Sequence, residues 1–172
     1  MKKFLLLFSF SLFQNSYAIE LNKEMKNICL KGENGGTIEE TNWNSSCLKE
    51  VKKKKVLFYI DPDEKDKNEY FSELLKYKKT LQTDDILTFA IVNTKATWKP
   101  TMIIKEVLKN KQKKYPHTTY ILDNNKLLVE EWNLPDDEVA CLIIDEVGKV
   151  IFYKTGIMQE QDIKTFFDIL KK

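Results

Sequence analysis

The stretch Val56-Leu57-Phe58-Tyr59-Ile60-Asp61 decides the fold of this 172-residue chain. Its first five residues are apolar or aromatic, and the turn sequence Asp61-Pro62-Asp63-Glu64-Lys65 follows directly. A short apolar run that ends in turn residues is typical of a strand buried on both faces, inside a sheet with helices above and below. In such sheets, ligands and chemistry concentrate at the carboxyl ends of the strands. The loop that begins at Asp61 is therefore the first place to look for a site.

Around this strand the hydrophobic pattern predicts alternating helices and strands. A helix is expected from Asp66 to about Leu81, followed by a buried strand over residues 86–93. A second helix is expected from Pro100 to before Pro116. The apolar residues of this second helix are predicted to point inward: Ile103, Ile104, Val107 and Leu108.

The second half of the chain adds a strand over residues 118–123 and a short strand or irregular cover over residues 127–132. A hairpin follows, formed by residues 141–145 and 150–154 around Gly148, and a last helix covers about Met158 to Leu170. An N-terminal β-hairpin is expected where residues 28–31 and 37–38 flank a glycine-rich turn. This order predicts an α/β fold, a thioredoxin-like three-layer α/β/α sandwich with a mixed sheet.

A thioredoxin-like redox protein would carry a Cys-x-x-Cys motif just after the central strand, where a helix N-terminus lowers the pKa of the thiol. Here residues 61–66 contain no cysteine. Such folds also usually place a proline before the hairpin strand, and the equivalent residues Glu138, Val139 and Ala140 include none. The sequence therefore predicts that the fold is kept while the redox site at this position is absent.

Residues 1–18 have the pattern of a cleaved export signal. Lys2 and Lys3 precede the apolar run of residues 4–13, and Ser16-Tyr17-Ala18 offers small residues at the cleavage positions. The run is shorter than the ~20 residues of a permanent membrane anchor, which is the alternative interpretation. We expect a periplasmic protein without a membrane anchor after cleavage, with residues 19–172 forming a single domain.

The charge of the chain argues against nucleic acid as a partner. All 28 basic residues are lysines, and removal of Lys2 and Lys3 leaves 26 lysines against 26 Asp and Glu in residues 19–172. Arginine is the residue best suited to bidentate contacts with guanine, and none is present. A neutral exported domain without arginine is a poor candidate for binding nucleic acid.

The three cysteines are widely spaced. Cys29 and Cys47 both precede the central strand, in a chain expected in an oxidising compartment, and a disulfide between them would stabilise the N-terminal region by ~3 kcal/mol. Two unpaired thiols and a reactive pair are the alternatives that remain. Cys141 lies in an apolar strand and is predicted to be a buried core residue.

Neither a cofactor nor a metal site is predicted. The acidic residues near the end of the central strand are predicted to form a solvated rim. A calcium site is the alternative, because six carboxylates are available there. They are Asp61, Asp63, Glu64, Asp136, Asp137 and Glu138. His117 is the single histidine, which makes a zinc site improbable.

Two tryptophans are predicted in loops near strand ends. If Trp98 and Trp132 are exposed together, they would form a patch for a protein or peptide partner, although such residues more often cover the edge of the core. The predicted partner surface comprises Asp61, Pro62, Asp63, Trp98, Trp132 and Val139. The runner-up interpretation is an atypical thiol-disulfide oxidoreductase that uses Cys29 and Cys47.

Several short motifs, in their order and spacing, resemble the YtfJ family of exported bacterial proteins. They are Trp43-Asn44-Ser45, Ile91-Val92-Asn93-Thr94, Lys113-Lys114-Tyr115-Pro116, Asp145-x-x-Gly148 and the closing helix. The resemblance implies a thioredoxin-like fold placed in the periplasm, and it implies no catalytic residue. Together with the missing cysteines, it favours a non-catalytic protein that binds a protein or peptide, through the backbone pairing by which such folds accept extended chains.

Overall fold

The predicted central strand lies in the interior of the main sheet. The computed structural model describes residues 19–64 and 86–172. Strand β4 spans Lys54–Ile60 and lies between parallel β5, Ile86–Asn93, and antiparallel β7, Ala140–Ile144. Val56 to Tyr59 are all buried because strands pair on both sides of β4 and both faces of the sheet are covered.

The main sheet is mixed. Besides β4, β5 and β7, its described strands are β2, Gly35–Thr37, β6, Thr118–Asp123, and β8, Val150–Thr155, and the order across the sheet is β2-β6-β5-β4-β7-β8. Strand β6 runs parallel to β5, and β8 completes an antiparallel hairpin with β7. Because β4, β5 and β6 are parallel, their carboxyl ends meet at one edge of the sheet, which we call the carboxyl edge.

Alternation along β4 divides the core into two sides. In the described part of the chain, Val56 and Phe58 face the side of the sheet that carries helices α2, Thr101–Lys114, and α4, Glu160–Lys171. Leu57 and Tyr59 face the other side. That side is covered by helices α1, Cys47–Glu50, and α3, Leu127–Trp132, and by a small sheet of β1, Cys29–Leu30, and β3, Trp43–Asn44. The predicted three-layer arrangement is confirmed.

The predicted N-terminal hairpin has the wrong pairing. Strand β1 pairs with β3, whereas the glycine-rich segment forms β2, Gly35–Thr37, which joins the edge of the main sheet beside β6. Gly35 has a φ of 119°, and a Cβ there would lie 1.9 Å from the Leu122 carbonyl oxygen. The glycine therefore permits close pairing with β6, a distant strand, and does not make a local turn.

Two other predictions need correction, and one lies outside the described residues. Residues 127–132 form helix α3, where a strand or irregular cover was predicted. In α2 only Ile104 and Leu108 are buried, whereas Ile103 and Val107 are about half exposed, because the helix contacts the sheet along a narrower stripe than its apolar arc. The helix predicted from Asp66 to Leu81 falls outside the described residues.

Within residues 19–64 and 86–172, no helix combines the length and the hydropathy that a membrane crossing requires. The predicted signal at residues 1–18 also lies outside the described part of the chain, and it stays a prediction.

Candidate functional site

A polar residue stands at the carboxyl end of each of the three parallel strands. Asp61 follows β4, Asn93 ends β5 and Asp123 ends β6, and all three side chains are buried. Each one binds the backbone of the loop that follows it: Asp61 accepts from the amide of Asp63 and Asn93 from that of Lys95. These residues therefore hold the loops that form the carboxyl edge.

Asp123 holds the start of helix α3. Its carboxylate accepts hydrogen bonds from the amides of Leu127 and Leu128, each at 2.9 Å, and from the hydroxyl of Tyr59 at 3.2 Å. Burial raises the pKa of Asp123, and these hydrogen bonds oppose that rise. Because these donors and the Asn125 amide surround the carboxylate, Asp123 fixes the backbone at the start of α3.

Asn93 fixes the loop that precedes β7. Its side-chain amide donates to the Asp136 carboxylate at 3.0 Å, and the same carboxylate pairs with the Lys126 ammonium at 2.6 Å. The Lys126 ammonium, with the Asn93 contact in support, holds the pKa of Asp136 below its ordinary value, and desolvation opposes this shift only in part. The loop is therefore held in place beside the carboxyl edge.

The loops after β4 and β5 are joined by Asp63. Its Oδ1 atom accepts a hydrogen bond from the Thr97 hydroxyl at 2.9 Å and pairs with the Lys99 ammonium. Lys99 and then Thr97 lower the pKa of Asp63. We call these three residues the Asp63 clamp. The clamp holds the residues on both sides of Trp98, so that the conformation of the loop around this tryptophan is restricted.

Trp98 is the exposed tryptophan of the carboxyl edge. Its side chain is 86% exposed, and the side chain of Met102, in the first turn of α2, is 77% exposed. Together with Pro62 and Asp63 these residues form what we call the Trp98 surface. Met102 was missed by the sequence reasoning because it lies outside the helix's apolar arc. Its position in the first turn of α2, directly after the loop of Trp98, was the available signal.

Trp132 does not join Trp98, so the predicted pairing of these tryptophans is wrong. Trp132 is 5% exposed, stacks edge-on against Trp43 at 6.4 Å between ring centroids and donates its indole N–H to the Lys26 carbonyl at 2.7 Å. It lies in α3 because Asp123 initiates a helix where a loop or strand was expected. Trp132 is a core residue on the side of the sheet opposite α2.

Val139 and Asp61 also do not offer side chains to a partner. Val139 is fully buried, its amide donates to the Glu138 carboxylate at 3.3 Å, and its carbonyl accepts from the Gly156 amide at 2.9 Å. The predicted pairing of an extended peptide with this backbone therefore meets groups that are already engaged. Asp61 is 5% exposed, and burial raises the pKa of its carboxyl group.

The predicted disulfide is not formed in this structure, where Cys29, Cys47 and Cys141 are all free thiols. Cys29 is exposed on β1 between buried Ile28 and Leu30, whereas Cys47 packs against the core, so their side chains lie in different surroundings. Burial raises the pKa of Cys47, with Glu50 adding to the effect. Cys141 is buried as predicted, and burial raises the pKa of its thiol strongly.

The acids near Asp61 do not form a cation site. Asp63, Glu64 and Asp137 lie close enough to raise the pKa of Asp61. Nevertheless, among the described residues no three His, Cys, Asp or Glu side chains converge as metal ligands. Asp63 and Asp136 instead pair with Lys99 and Lys126. In this part of the chain, these ion pairs hold loops in place.

Comparison with known proteins gives a family and a fold. Residues 18–172 match the family described as "Bacterial protein of unknown function (YtfJ_HI0045)". The uncharacterised protein YtfJ of Escherichia coli is 32% identical over 133 residues, which cover 76% of this chain and 71% of that protein. An uncharacterised protein of Haemophilus influenzae is 30% identical over 98 residues, which cover 56% of this chain and 48% of that protein.

The solved structures that resemble the chain are thioredoxin-like. The thioredoxin domain of a thiol-disulfide oxidoreductase from Bacteroides vulgatus has a TM-score of 0.65 at 10% identity, over 90% of this chain and 100% of that one. The exposed lipoprotein thioredoxin Etrx1 of Streptococcus pneumoniae has a TM-score of 0.59 at 17% identity, over 85% of this chain and 98% of that one. At these identities the likeness shows the thioredoxin-like fold and no activity.

Proposed function

This chain belongs to the YtfJ family of bacterial proteins, and we propose that it is a non-catalytic thioredoxin-fold protein of the periplasm that binds a protein or peptide partner. The observation that carries the proposal is the Trp98 surface. An aromatic side chain that is 86% exposed stands at the carboxyl edge, on a loop that the Asp63 clamp holds in place. Exposed tryptophans are enriched among the residues that dominate binding energy, and a fixed loop loses little freedom on binding.

The chemistry of the carboxyl edge supports binding and not catalysis. The positions after β4 carry Asp61, Pro62 and Asp63, where a thioredoxin-type oxidoreductase needs a thiolate. Cys141 is buried in β7, and Cys29 and Cys47 precede β4 in the chain. The polar side chains at the strand ends, Asp61, Asn93 and Asp123, are occupied in holding loops.

The same geometry favours side-chain contacts with the partner over extension of the sheet. Because the backbone of Val139 is engaged by Glu138 and Gly156, the partner contacts the side chains of the Trp98 surface and does not extend the sheet at this point. Trp98 and Met102 supply apolar contact area, while the pairing of Asp63 with Thr97 and Lys99 keeps that area in place.

The periplasmic location rests on the predicted signal at residues 1–18 and on the family. It is consistent with the described residues, in which no helix meets the requirements for a membrane span. One structural neighbour is described as an exposed lipoprotein, which places that protein outside the cytoplasm.

Photocrosslinking from the Trp98 surface tests the proposal. p-Benzoyl-phenylalanine in place of Met102 leaves Trp98 intact, and the same group in place of Lys164, an exposed residue of α4, is the matched control. We expect a discrete adduct from position 102 in living cells, none from position 164, and loss of the adduct when Trp98→Ala is added.

Cysteine variants separate binding from thiol chemistry. The adduct is expected to persist in Cys29→Ser/Cys47→Ser, because neither thiol belongs to the Trp98 surface. The absence of any adduct that depends on Trp98 would reject the proposed function. An adduct that disappears in the cysteine variant would instead favour the oxidoreductase interpretation.

A further inference from the structure

One segment of the chain carries a marked excess of basic side chains. Residues 94–114, which run from the loop of Trp98 through α2, contain seven lysines and one acid, Glu106. Residues 19–172 as a whole contain equal numbers of basic and acidic side chains. The segment therefore has a net positive charge, which the rest of the domain balances with a net negative charge. Its lysines are Lys95, Lys99, Lys105, Lys109, Lys111, Lys113 and Lys114.

The same segment exposes apolar side chains, and the two properties are separated along α2. Met102, Ile103 and Val107 are at least half exposed, and they lie in the first half of the helix, which follows the loop of Trp98. Lys109 and Lys113 are exposed in the second half. They follow Met102 at seven and eleven residues, which places them on the same outward side of the helix.

Helix stability explains only part of this pattern. Lysines in the last turn of a helix interact favourably with its dipole, which accounts for Lys111, Lys113 and Lys114. It does not account for three exposed apolar side chains on the same helix, since each would be more stable out of water. An additional role in contact with a partner explains both features together.

We propose that the Trp98 surface and the outward side of α2 bind an acidic segment of a protein partner. This segment carries apolar side chains at one end and carboxylates at the other. This inference rests on the proposed function and specifies the chemistry of the partner. Apolar groups of the segment pack on Trp98 and Met102, and its carboxylates pair with Lys109 and Lys113. Along the helix axis, Met102 lies about 10 Å from Lys109 and about 16 Å from Lys113, which corresponds to about two to three helical turns or about three to five extended residues of the partner.

The acids within the surface favour a protein over a lipid membrane. Asp63 lies beside Trp98, and Glu106 lies between Met102 and Lys109 on the outward side, paired with Lys109 at 2.8 Å. An anionic bilayer presents negative charge over the whole contact and repels both carboxylates, whereas a protein segment places its charges individually. A second copy fits poorly, because antiparallel pairing would set the basic half of one α2 against the apolar half of the other.

Selection from a random peptide library displayed on phage tests the inference with the purified wild-type protein as bait. Counter-selection against Trp98→Ala removes peptides that bind elsewhere. We expect the enriched peptides to combine aromatic or aliphatic residues with Asp or Glu at the predicted separation. Their affinity is expected to fall about five- to tenfold in Lys109→Gln/Lys113→Gln and to weaken as salt rises.

The matched control is Lys164→Gln/Lys171→Gln, which removes two exposed lysines from α4. Enriched peptides that require Trp98 but lack acids, or that bind the α2 variant and wild type equally, would overturn the inference and leave the proposed function intact. Failure to enrich any Trp98-dependent peptide would also overturn it. The photocrosslink at position 102 then decides separately whether the proposed function survives.

Binding to vesicles of phosphatidylcholine and phosphatidylglycerol is measured in parallel by cosedimentation. Vesicle binding that depends on Lys109 and Lys113, in the absence of enriched acidic peptides, would identify a lipid surface as the occupant and reject the acidic protein segment.

Discussion

The hydroxyl of Thr97 donates a 2.9 Å hydrogen bond to Oδ1 of Asp63, which joins the loops that follow two adjacent parallel strands. Lys99 pairs with the same oxygen atom, so that Asp63 contacts the residues immediately before and after Trp98. The side chain of Trp98, which is 86% exposed, therefore lies on a loop whose residues Thr97 and Lys99 are both held by Asp63. This arrangement suits a binding site, because the cost of ordering the loop is met in the folded protein and not during association.

The Asp63 clamp is expected to depend on pH in a defined direction. Lys99 and Thr97 hold the pKa of Asp63 below its ordinary value, so the contribution of the clamp is present above the unfolded value of about 4. It is lost as the pH falls through the lower pKa of the folded state. We therefore expect Trp98 to be held at neutral pH and to gain mobility only in acid.

Relaxation of the indole N–H groups measures this mobility. The heteronuclear NOE of Trp98 is expected to fall in acid before those of buried Trp43 and Trp132, and Asp63→Ala is expected to show the low value at pH 7. Thr97→Val, which removes only the hydroxyl contact, should give an intermediate value. A Trp98 signal that remains as rigid in Asp63→Ala as in wild type would show that the clamp does not hold the loop.

Asp123→Ala is expected to destabilise the protein by about 2–4 kcal/mol. The substitution removes the acceptor for the amides of Leu127 and Leu128 at the start of α3, and it leaves the buried Tyr59 hydroxyl without this partner. Urea denaturation measures the loss in the free energy of unfolding. Asp123→Asn retains only one of the two oxygens, which accept separately from Leu127 and from Leu128 with Tyr59, so it should lose part of this stability, and an Asn variant as stable as wild type would contradict the capping role.

The sequence predicted the parts of the fold that local pattern controls. The structure agrees with the continuous apolar runs of β4 and β5, because a strand that is buried on both faces is apolar at successive positions. It also agrees with the helical spacing of Phe166, Phe167 and Leu170, because a helix that is buried on one side repeats its apolar residues every three or four positions. The pairing of Gly35 with β6 was not predictable in this way. It depends on Leu122, which is far away in the sequence and leaves no local pattern.

The candidate site was predicted in part, for a similar reason. The position of Asp63 and Trp98 at one edge follows from the parallel order of β4 and β5. The burial of Trp132 depends on a helix that Asp123 initiates, whereas the sequence predicted a short strand or irregular cover over residues 127–132. Periodicity likewise identified the apolar arc of α2 but not how much of that arc the sheet covers, so Ile103 and Val107 were assigned to the core.

The three thiols are expected to differ widely in reactivity. Cys29 is exposed and should react with a disulfide reagent at the rate of a free thiol. Cys47 should react more slowly, because burial raises the pKa of its thiol and limits access, and Cys141 should react only on unfolding. Stopped-flow labelling of wild type, Cys29→Ser and Cys47→Ser assigns each phase. Fewer than three reactive thiols in the unfolded, non-reduced protein would show instead that a disulfide forms.

Substitution of the two predicted partner tryptophans separates binding from stability. Trp98→Ala removes little buried area, so the midpoint of urea denaturation should stay close to that of wild type, while the crosslink from position 102 disappears. Trp132→Ala should cost about 3–5 kcal/mol, because it creates a cavity beside Trp43 and leaves the Lys26 carbonyl without its indole donor. Fluorescence provides a further check, since Trp98 is the exposed one of the three tryptophans and iodide should quench little emission in Trp98→Ala. If Trp98→Ala unfolds as readily as Trp132→Ala, the exposed side chain has a structural role and the Trp98 surface is not a binding site.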